Sequence, residues 1–302
     1  MSDRRRRVDV AIIGAGMSGI CMAITLQRAG IHTFTMFEQA AEVGGTWRDN
    51  TYPGLHCDVP SRYYTYSFAP NSDWSQLVSP GYEIQSYLKQ VVEDHGLRSH
   101  IRFGTEVRAA EFRDDKWWVT TDAGDQASYD VLITAAGVLR VPRYPDIAGR
   151  DDFAGPVFHT SRWDHSISLS DKRIGLIGTG STGVQIVAEL GGKVKELNVF
   201  QRTPQWVFPW PNHHYSGGWR ALLRRWPALN QLGYRFWGWL FRYVLARGVI
   251  QPGWQRRLIN VLCWANLHLW VRDRTLRERL TPTYQPGCKR MIFAGHYYQS
   301  VQ

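Results

Sequence analysis

The chain has 302 residues, 44% hydrophobic and 21% charged, with 28 glycines, which is the composition of a globular protein with one large or two ordinary domains. Its formal net charge of +10 favours anionic partners such as nucleotide phosphates or an acidic membrane surface. No zinc-finger spacing or RNP motif accompanies that charge, so no nucleic-acid partner is expected.

The four cysteines, Cys21, Cys57, Cys263 and Cys288, form no CxxC, which speaks against a disulfide framework or a zinc site and fits a reducing, cytoplasmic setting. His213-His214 has no partner at metal spacing, so no metal site is expected. No run reaches the roughly 18 apolar residues that span a bilayer. Arg4 to Arg7 before an apolar run looks like the basic start of a signal peptide. However, Gly14, Gly16 and Gly19 interrupt that run and no convincing cleavage site follows, so a targeting signal is not expected.

Val8 to Ile13 reads as a buried parallel strand. Gly14-Ala15-Gly16-Met17-Ser18-Gly19 follows, then a helix over Ile20 to Ala29 stopped by Gly30, then a strand over His32 to Phe37 ending in Glu38. Strand, GxGxxG, helix, strand and acid make a dinucleotide-binding unit. The glycines admit a pyrophosphate at the helix N-terminus, and Glu38 is placed to accept from an adenosine ribose, which favours FAD or NAD. A second glycine pair opens Gly44-Gly45-Thr46-Trp47, and an aromatic, irregular segment runs from Arg48 to Tyr66. A helix with an apolar face of Tyr82, Tyr87, Leu88, Val91 and Val92 spans Gly81 to Asp94. Strands at Ile101–Val107, Ala109–Phe112, Trp117–Thr121 and Tyr129–Thr134 form a small sheet within the same domain, with turns at Asp114-Asp115 and 122–126. Pro142, Pro145 and Gly149 mark a linker.

The second half repeats the pattern. A strand over Arg173 to Ile177 leads into Gly178-Thr179-Gly180-Ser181-Thr182-Gly183, a helix over Val184 to Leu190, Gly191-Gly192, and a strand over Lys195 to Phe200. Arg202 stands 24 positions after Gly178, the offset at which Glu38 follows Gly14. A base and the Thr203 hydroxyl there suit a 2′-phosphate, so this site is expected to prefer NADP.

Two such units resemble the class B flavoprotein monooxygenases, and the stretch joining them narrows the resemblance. Phe153, Gly155, His159, Trp163 and Asp164 match the FxGxxxHxxxW signature of Baeyer-Villiger monooxygenases, where the related N- and S-oxygenating enzymes carry Tyr or Phe in place of Trp163. Gly44-Gly45-Thr46-Trp47, Tyr52-Pro53-Gly54, Cys57-Asp58, Gln201-Arg202-Thr203-Pro204, Gly287-Cys288-Lys289-Arg290 and Tyr297-Tyr298 are similar to further family motifs.

The resemblance implies an α/β fold of two Rossmann-like domains, for FAD and NADP, with a helical insertion. The implied FAD domain is 1–150, the NADP domain begins with 151–210 including the signature, the Trp/Arg-rich insertion is 211–280, and 281–302 returns with Lys289-Arg290. It implies FAD reduction by NADPH, a C4a-peroxyflavin formed with O2, and insertion of oxygen into a ketone to give an ester or lactone. Arg290 matches the active-site arginine and Asp58 the carboxylate that positions it. Lys289 matches a residue supporting Arg202 and Thr203, and His159 and Trp163 are implied to couple the domains. The alternatives are an N- or S-oxygenating enzyme and a truncated, non-catalytic nucleotide-binding relative. Family members continue well past the position of Gln302 with a return to the FAD domain, so the chain is expected to be a fragment or a shortened relative.

The remaining stretch, from Trp210 to Leu280, is rich in Trp, Leu and Arg. Its spacing is helical, with breaks expected at Pro227, Gly233, Gly248 and Pro252-Gly253. It reads as a helical wall or cap of the NADP domain, or as a segment touching a membrane surface, since Arg and Trp interleave as in interfacial helices.

Overall fold

A computed structural model describes residues 8–302, so the basic run Arg4 to Arg7 lies outside the described residues. The chain forms two compact units. The first takes in the described part of Met1–Thr51 together with Gly81–Arg162, and the second Tyr52–Pro80 together with Trp163–Gln302.

In the first unit, β1 (Val10–Ile13), α1 (Met17–Arg28) and β2 (Phe34–Phe37) form the strand–helix–strand motif read from the sequence. β1 pairs in parallel with β2, Val10 opposite Phe34 and Ile13 opposite Phe37. α2 (Thr46–Asp49) is a single turn after the glycine pair, and α3 (Gly81–Asp94) has the bounds expected of it. α3 buries Ile84, Tyr87, Leu88, Val91 and Val92, whereas Tyr82 is exposed.

The four expected strands of the small sheet divide differently. β3 is only Ile101–Arg102, because the chain turns at Gly104, whose φ is +59°. β4 (Val107–Arg113), β5 (Lys116–Thr121) and β6 (Gln126–Tyr129) make a three-stranded antiparallel sheet, with Asp114 and Asp115 in the left-handed region at its first turn. β7 (Val131–Thr134) leaves that sheet and pairs in parallel with β1, giving the order β3-β2-β1-β7. Uninterrupted apolar character in Val131–Thr134 suits a place beside the central strand.

In the second unit, β8 (Arg173–Ile177), α4 (Ser181–Leu190) and β9 (Glu196–Phe200) repeat the motif, with β8 and β9 parallel over five residues. β10 (Val207–Pro209) pairs in parallel with β11 (Ile292–Ala294), which precedes α10 (Tyr297–Ser300). A core of Leu176, Val184, Ile186, Val187, Tyr297 and Tyr298 packs around α4. The segment 52–80 clusters with this unit rather than with the rest of the expected 1–150 FAD domain. Tyr52 donates its hydroxyl to Gln185 Oε1 at 2.9 Å, and the Leu77 amide donates to His213 O at 3.0 Å. The Tyr215 amide donates in turn to Ser75 O at 2.7 Å.

The insertion is helical: α5 (Gly217–Arg225), α6 (Pro227–Leu240), a π-helical turn over Phe241–Ala246, α7 (Arg247–Ile250), α8 (Trp254–Trp270) and α9 (Arg274–Leu280). Pro227 starts α6, and Pro252-Gly253 separates α7 from α8, as expected. Gly233 and Gly248 instead lie inside helices. At Gly248 the reason is a close approach: a Cβ there would stand 2.7 Å from Ile259 Cδ1 and 3.2 Å from the Gln255 carbonyl carbon of α8. No helix among the described residues is long and apolar enough to cross a membrane.

Candidate functional site

The first site is built on the β1–α1 turn. Gly14 has φ +100°, and a Cβ on it would lie 2.5 Å from Ala135 O at the end of β7. A Cβ on Gly19 would lie 2.0 Å from Gly14 O, so α1 sits on the turn at a distance only glycine permits. Gly16 is the N-cap of α1 and makes no side-chain cap to its first turn, the end of a helix that suits an anion. The second glycine pair closes over this turn. The Gly44 amide donates to Ala15 O at 3.1 Å, and a Cβ on Gly45 would come within 3.2 Å of Gly16 Cα. Thr46 and Trp47 then open α2 beside it.

Glu38 ends β2 and is buried, with 4% exposure. Its Oε2 accepts from the Ala15 amide at 3.0 Å, and its Oε1 from the Ala40 amide at 3.0 Å and Arg48 Nη1 at 2.8 Å. Each carboxylate oxygen has room for about two donors. Among the described residues Oε2 therefore keeps one acceptor position, enough for one ribose hydroxyl. Arg48, which the sequence reading passed over, is the ion partner of this acid. Burial works against its charge, but Glu38 and Asp49 outweigh it and raise the guanidinium above its ordinary value. An arginine ten residues after a motif acid is the signal that was there to find.

The second site repeats the geometry in its own unit. A Cβ on Gly183 would lie 2.2 Å from Gly178 O, close to the value at Gly19 and Gly14 O. Gly180 is the N-cap of α4 and offers no side chain. Ser181 Oγ, at the start of the helix, is buried without a partner among the described residues, an orphaned polar atom beside Thr182 at an anion-ready helix end.

Arg202 lies just past β9, exposed and without an ion pair among the described residues, and Thr203 next to it is half-buried. Lys289 Nζ lies 4.6 Å from the centre of the Tyr284 ring. The Tyr284 hydroxyl donates to Pro204 O at 3.0 Å and lies 2.8 Å from Gln205 Oε1, so Lys289 is tied to the loop that carries Arg202 and Thr203. Tyr284 is a second residue the sequence reading missed, and nothing in its local pattern marks it.

Asp58 and Arg290, 232 positions apart, meet in the second unit: Arg290 Nη2 donates to Asp58 Oδ2 at 2.9 Å. Asp58 is mostly covered, whereas Arg290 is 70% exposed and its remaining donors have no protein partner among the described residues. The loop carrying Asp58 is held to α4 through Gln185, which accepts from Tyr52 and donates to His56 O at 2.9 Å. Burial drives the Cys57 thiol up to about 12, so it is no nucleophile. Burial also holds His56 below its ordinary value.

The joining stretch crosses from one unit to the other between Arg162 and Trp163. His159 accepts at Nδ1 from the Ser161 amide at 3.1 Å, and its own amide donates to the Tyr144 hydroxyl at 3.0 Å, which anchors it in the first unit. Trp163 packs on the core around α4 in the second.

Known proteins resemble this chain along most of its length. The model of the flavin-binding monooxygenase-like proteins matches residues 7–278. The chain belongs to the flavin-binding monooxygenase-like family. An uncharacterized monooxygenase of Mycobacterium bovis is 52% identical over 293 residues, covering 97% of this chain and 59% of that relative. A Baeyer-Villiger monooxygenase of Streptomyces coelicolor is 40% identical over 296 residues, covering 97% of this chain and 57% of its own length. Among solved structures, an OTEMO complex with FAD and NADP matches with a TM-score of 0.81 and 28% identity, over 97% of this chain and 63% of that one. A cyclohexanone monooxygenase from Rhodococcus bound to NADP+ matches with a TM-score of 0.78 and 27% identity, over 97% and 62%. The chain thus spans about three fifths of the length of the family members it matches. Its fold is the family's α/β architecture of two Rossmann-like units with a helical insertion.

Proposed function

We propose that the chain carries the nucleotide sites and the active-site arginine of a Baeyer-Villiger-type monooxygenase, which uses NADPH and O2 to insert one oxygen atom into a ketone and yield an ester or lactone. The observation that carries the reading is the 2.9 Å contact of Arg290 with Asp58, a cation oriented by a carboxylate and otherwise unspent.

In this reading FAD takes the first site, where Gly14, Gly16 and Gly19 leave space for the pyrophosphate. Glu38 offers its remaining acceptor to the ribose, and Gly45, Thr46 and Trp47 cover the cofactor. NADPH takes the second site. Gly178, Gly180, Thr182 and Gly183 line its pyrophosphate, Ser181 gains a partner there, and Arg202, Thr203 and Lys289 face the 2′-phosphate. The bound flavin supplies the redox chemistry, accepting hydride from NADPH and activating O2. Arg290 stabilises the negative charge that develops on oxygen, and Asp58 fixes the direction of its guanidinium. His159 and Trp163, anchored in different units, transmit the movement of one nucleotide site relative to the other.

Arg290→Ala tests this. Flavin reduction by NADPH, followed anaerobically at the flavin absorbance, should stay near the parent rate. Ester formation from a cyclic ketone should fall by at least about a hundredfold, the order seen when one charge-stabilising donor is lost. Ester made at the parent rate would remove Arg290 from the reaction. Sulfoxide or N-oxide formation that survives where ester formation is absent in the parent would favour the N- or S-oxygenating alternative.

A further inference from the structure

We infer that the helical insertion is a docking surface for an anionic lipid membrane, with its helices lying in the headgroup plane. From Gln205 through Arg272 the chain carries nine arginines and nine of its 14 tryptophans, and no lysine, aspartate or glutamate. This segment therefore holds nearly all of the protein's net charge of +10. Only Arg224 among these arginines has a carboxylate partner within the described residues, Asp73 at 3.1 Å.

Along the helices of the insertion the exposed apolar side chains are ordered, not scattered. Along α6, Leu229, Leu232, Phe236 and Trp239 recur every three to four residues and are all exposed, from 40% at Leu229 to 59% at Leu232. At 100° per residue they fall on one narrow stripe, and exposed Arg235 flanks it. Trp254, Leu258, Val261 and Trp264 make a comparable exposed stripe along α8, with exposed Arg257 within it. Exposed Trp226 stands at the junction of α5 and α6.

Large apolar side chains held in water are unusual on a protein surface and mark a partner. The charge says which one. A second copy of the chain would bring one all-positive face against another, and like charges brought together oppose docking. A nucleic acid would satisfy the arginines but leave the Leu and Val side chains in water. An anionic bilayer satisfies both: acyl chains take the stripes, indole rings sit at the headgroup level, and arginines meet the lipid phosphates. No helix here is long and apolar enough to cross, so contact would be peripheral.

Co-sedimentation of the purified chain with vesicles decides the matter. Phosphatidylglycerol-containing vesicles should pull it down at low salt, binding should weaken steeply at high salt, and pure phosphatidylcholine vesicles should bind far less. Arg235→Gln with Arg242→Gln should weaken binding by about 25-fold, roughly fivefold per arginine near a charged surface. Leu232→Ser with Trp239→Ser should also reduce it, with far-UV helicity unchanged because both residues point to water. Equal sedimentation with neutral vesicles, or parent-level binding by both double variants, would overturn the inference. So would failure to bind any vesicle, and concentration-dependent dimerisation in light scattering would then make a second copy the occupant.

Discussion

Replacing Glu38 with Gln probes the acid on which the first nucleotide site is built. Glu38 is 4% exposed and accepts three hydrogen bonds, two from backbone amides and one from Arg48 at 2.8 Å. Glutamine keeps the shape but supplies one acceptor oxygen. If that oxygen takes the Oε1 place, it satisfies Ala40 and Arg48, and the new NH2 points at the Ala15 amide. If it takes the Oε2 place, the NH2 faces both the Ala40 amide and a guanidinium. The first arrangement is the cheaper, yet it still sets donor against donor and leaves the mostly buried Arg48, 14% exposed, with only Asp49 as its counter-ion. Breaking a buried pair from one side costs about 3–5 kcal/mol. Against a typical domain stability of about 5–15 kcal/mol, that is a large fraction. Urea unfolding of the Glu38→Gln chain, followed by circular dichroism, should move to lower denaturant, and FAD uptake should weaken. A loss below about 1 kcal/mol with parent FAD affinity would refute both the structural and the ribose role of this carboxylate.

Gly183→Ala forces a Cβ to within 2.2 Å of Gly178 O, so α4 must move by about 1 Å from its turn. A misplacement of that size should cost NADPH binding on the order of a hundredfold while FAD uptake stays, as measured by titration of each nucleotide. Arg202→Gln removes an exposed cation that has no ion pair among the described residues. It should reduce the preference for NADPH over NADH by about 1.5–3 kcal/mol, roughly ten- to a hundredfold, in the two KM values, and an unchanged ratio would remove Arg202 from the 2′-phosphate site. For His56, burial lowers the folded pKa below the ordinary value even though the contact to Gly54 O and the nearby Asp58 and Glu189 act the other way. The unfolded chain then binds a proton that the folded chain refuses, so stability is full above about pH 6.5 and falls as pH drops through that value toward the folded pKa. His56→Asn, which keeps a donor toward Gly54 O, should show a smaller loss of urea stability between about pH 7.5 and pH 5.5 than the parent, and equal losses would sink the assignment.

Much of the fold was legible because it is local. A β-branched run, a glycine turn and a helix within thirty residues state their pairing without outside help, and both units formed as read. The amphipathic period of α3 located that helix to the residue, although Tyr82 on its expected apolar face lies in water. Where local signals stop at a turn, the reading slipped. Nothing around Tyr129 says that the chain leaves an antiparallel sheet and enters a parallel one at Val131, because which neighbour a strand finds is decided across the sheet. Gly233 and Gly248 looked like breaks because glycine is a poor helix former, and the close packing of α7 on α8 that makes use of Gly248 lies outside any sequence window.

By itself the sequence determined the two glycine turns, the acid after one and the base after the other, and the absence of acids from Gln205 through Arg272. Those follow from residue type and spacing, which folding cannot change. Only the tertiary structure decided that Arg48 pairs with Glu38 and that Tyr284 ties Lys289 to the Arg202 loop. It also placed Asp58 within 2.9 Å of Arg290 and turned most tryptophans of the insertion toward water. Each of these is a meeting or an exposure set by how elements far apart in the chain pack, and hydrogen bonds and burial act through space without regard to sequence separation.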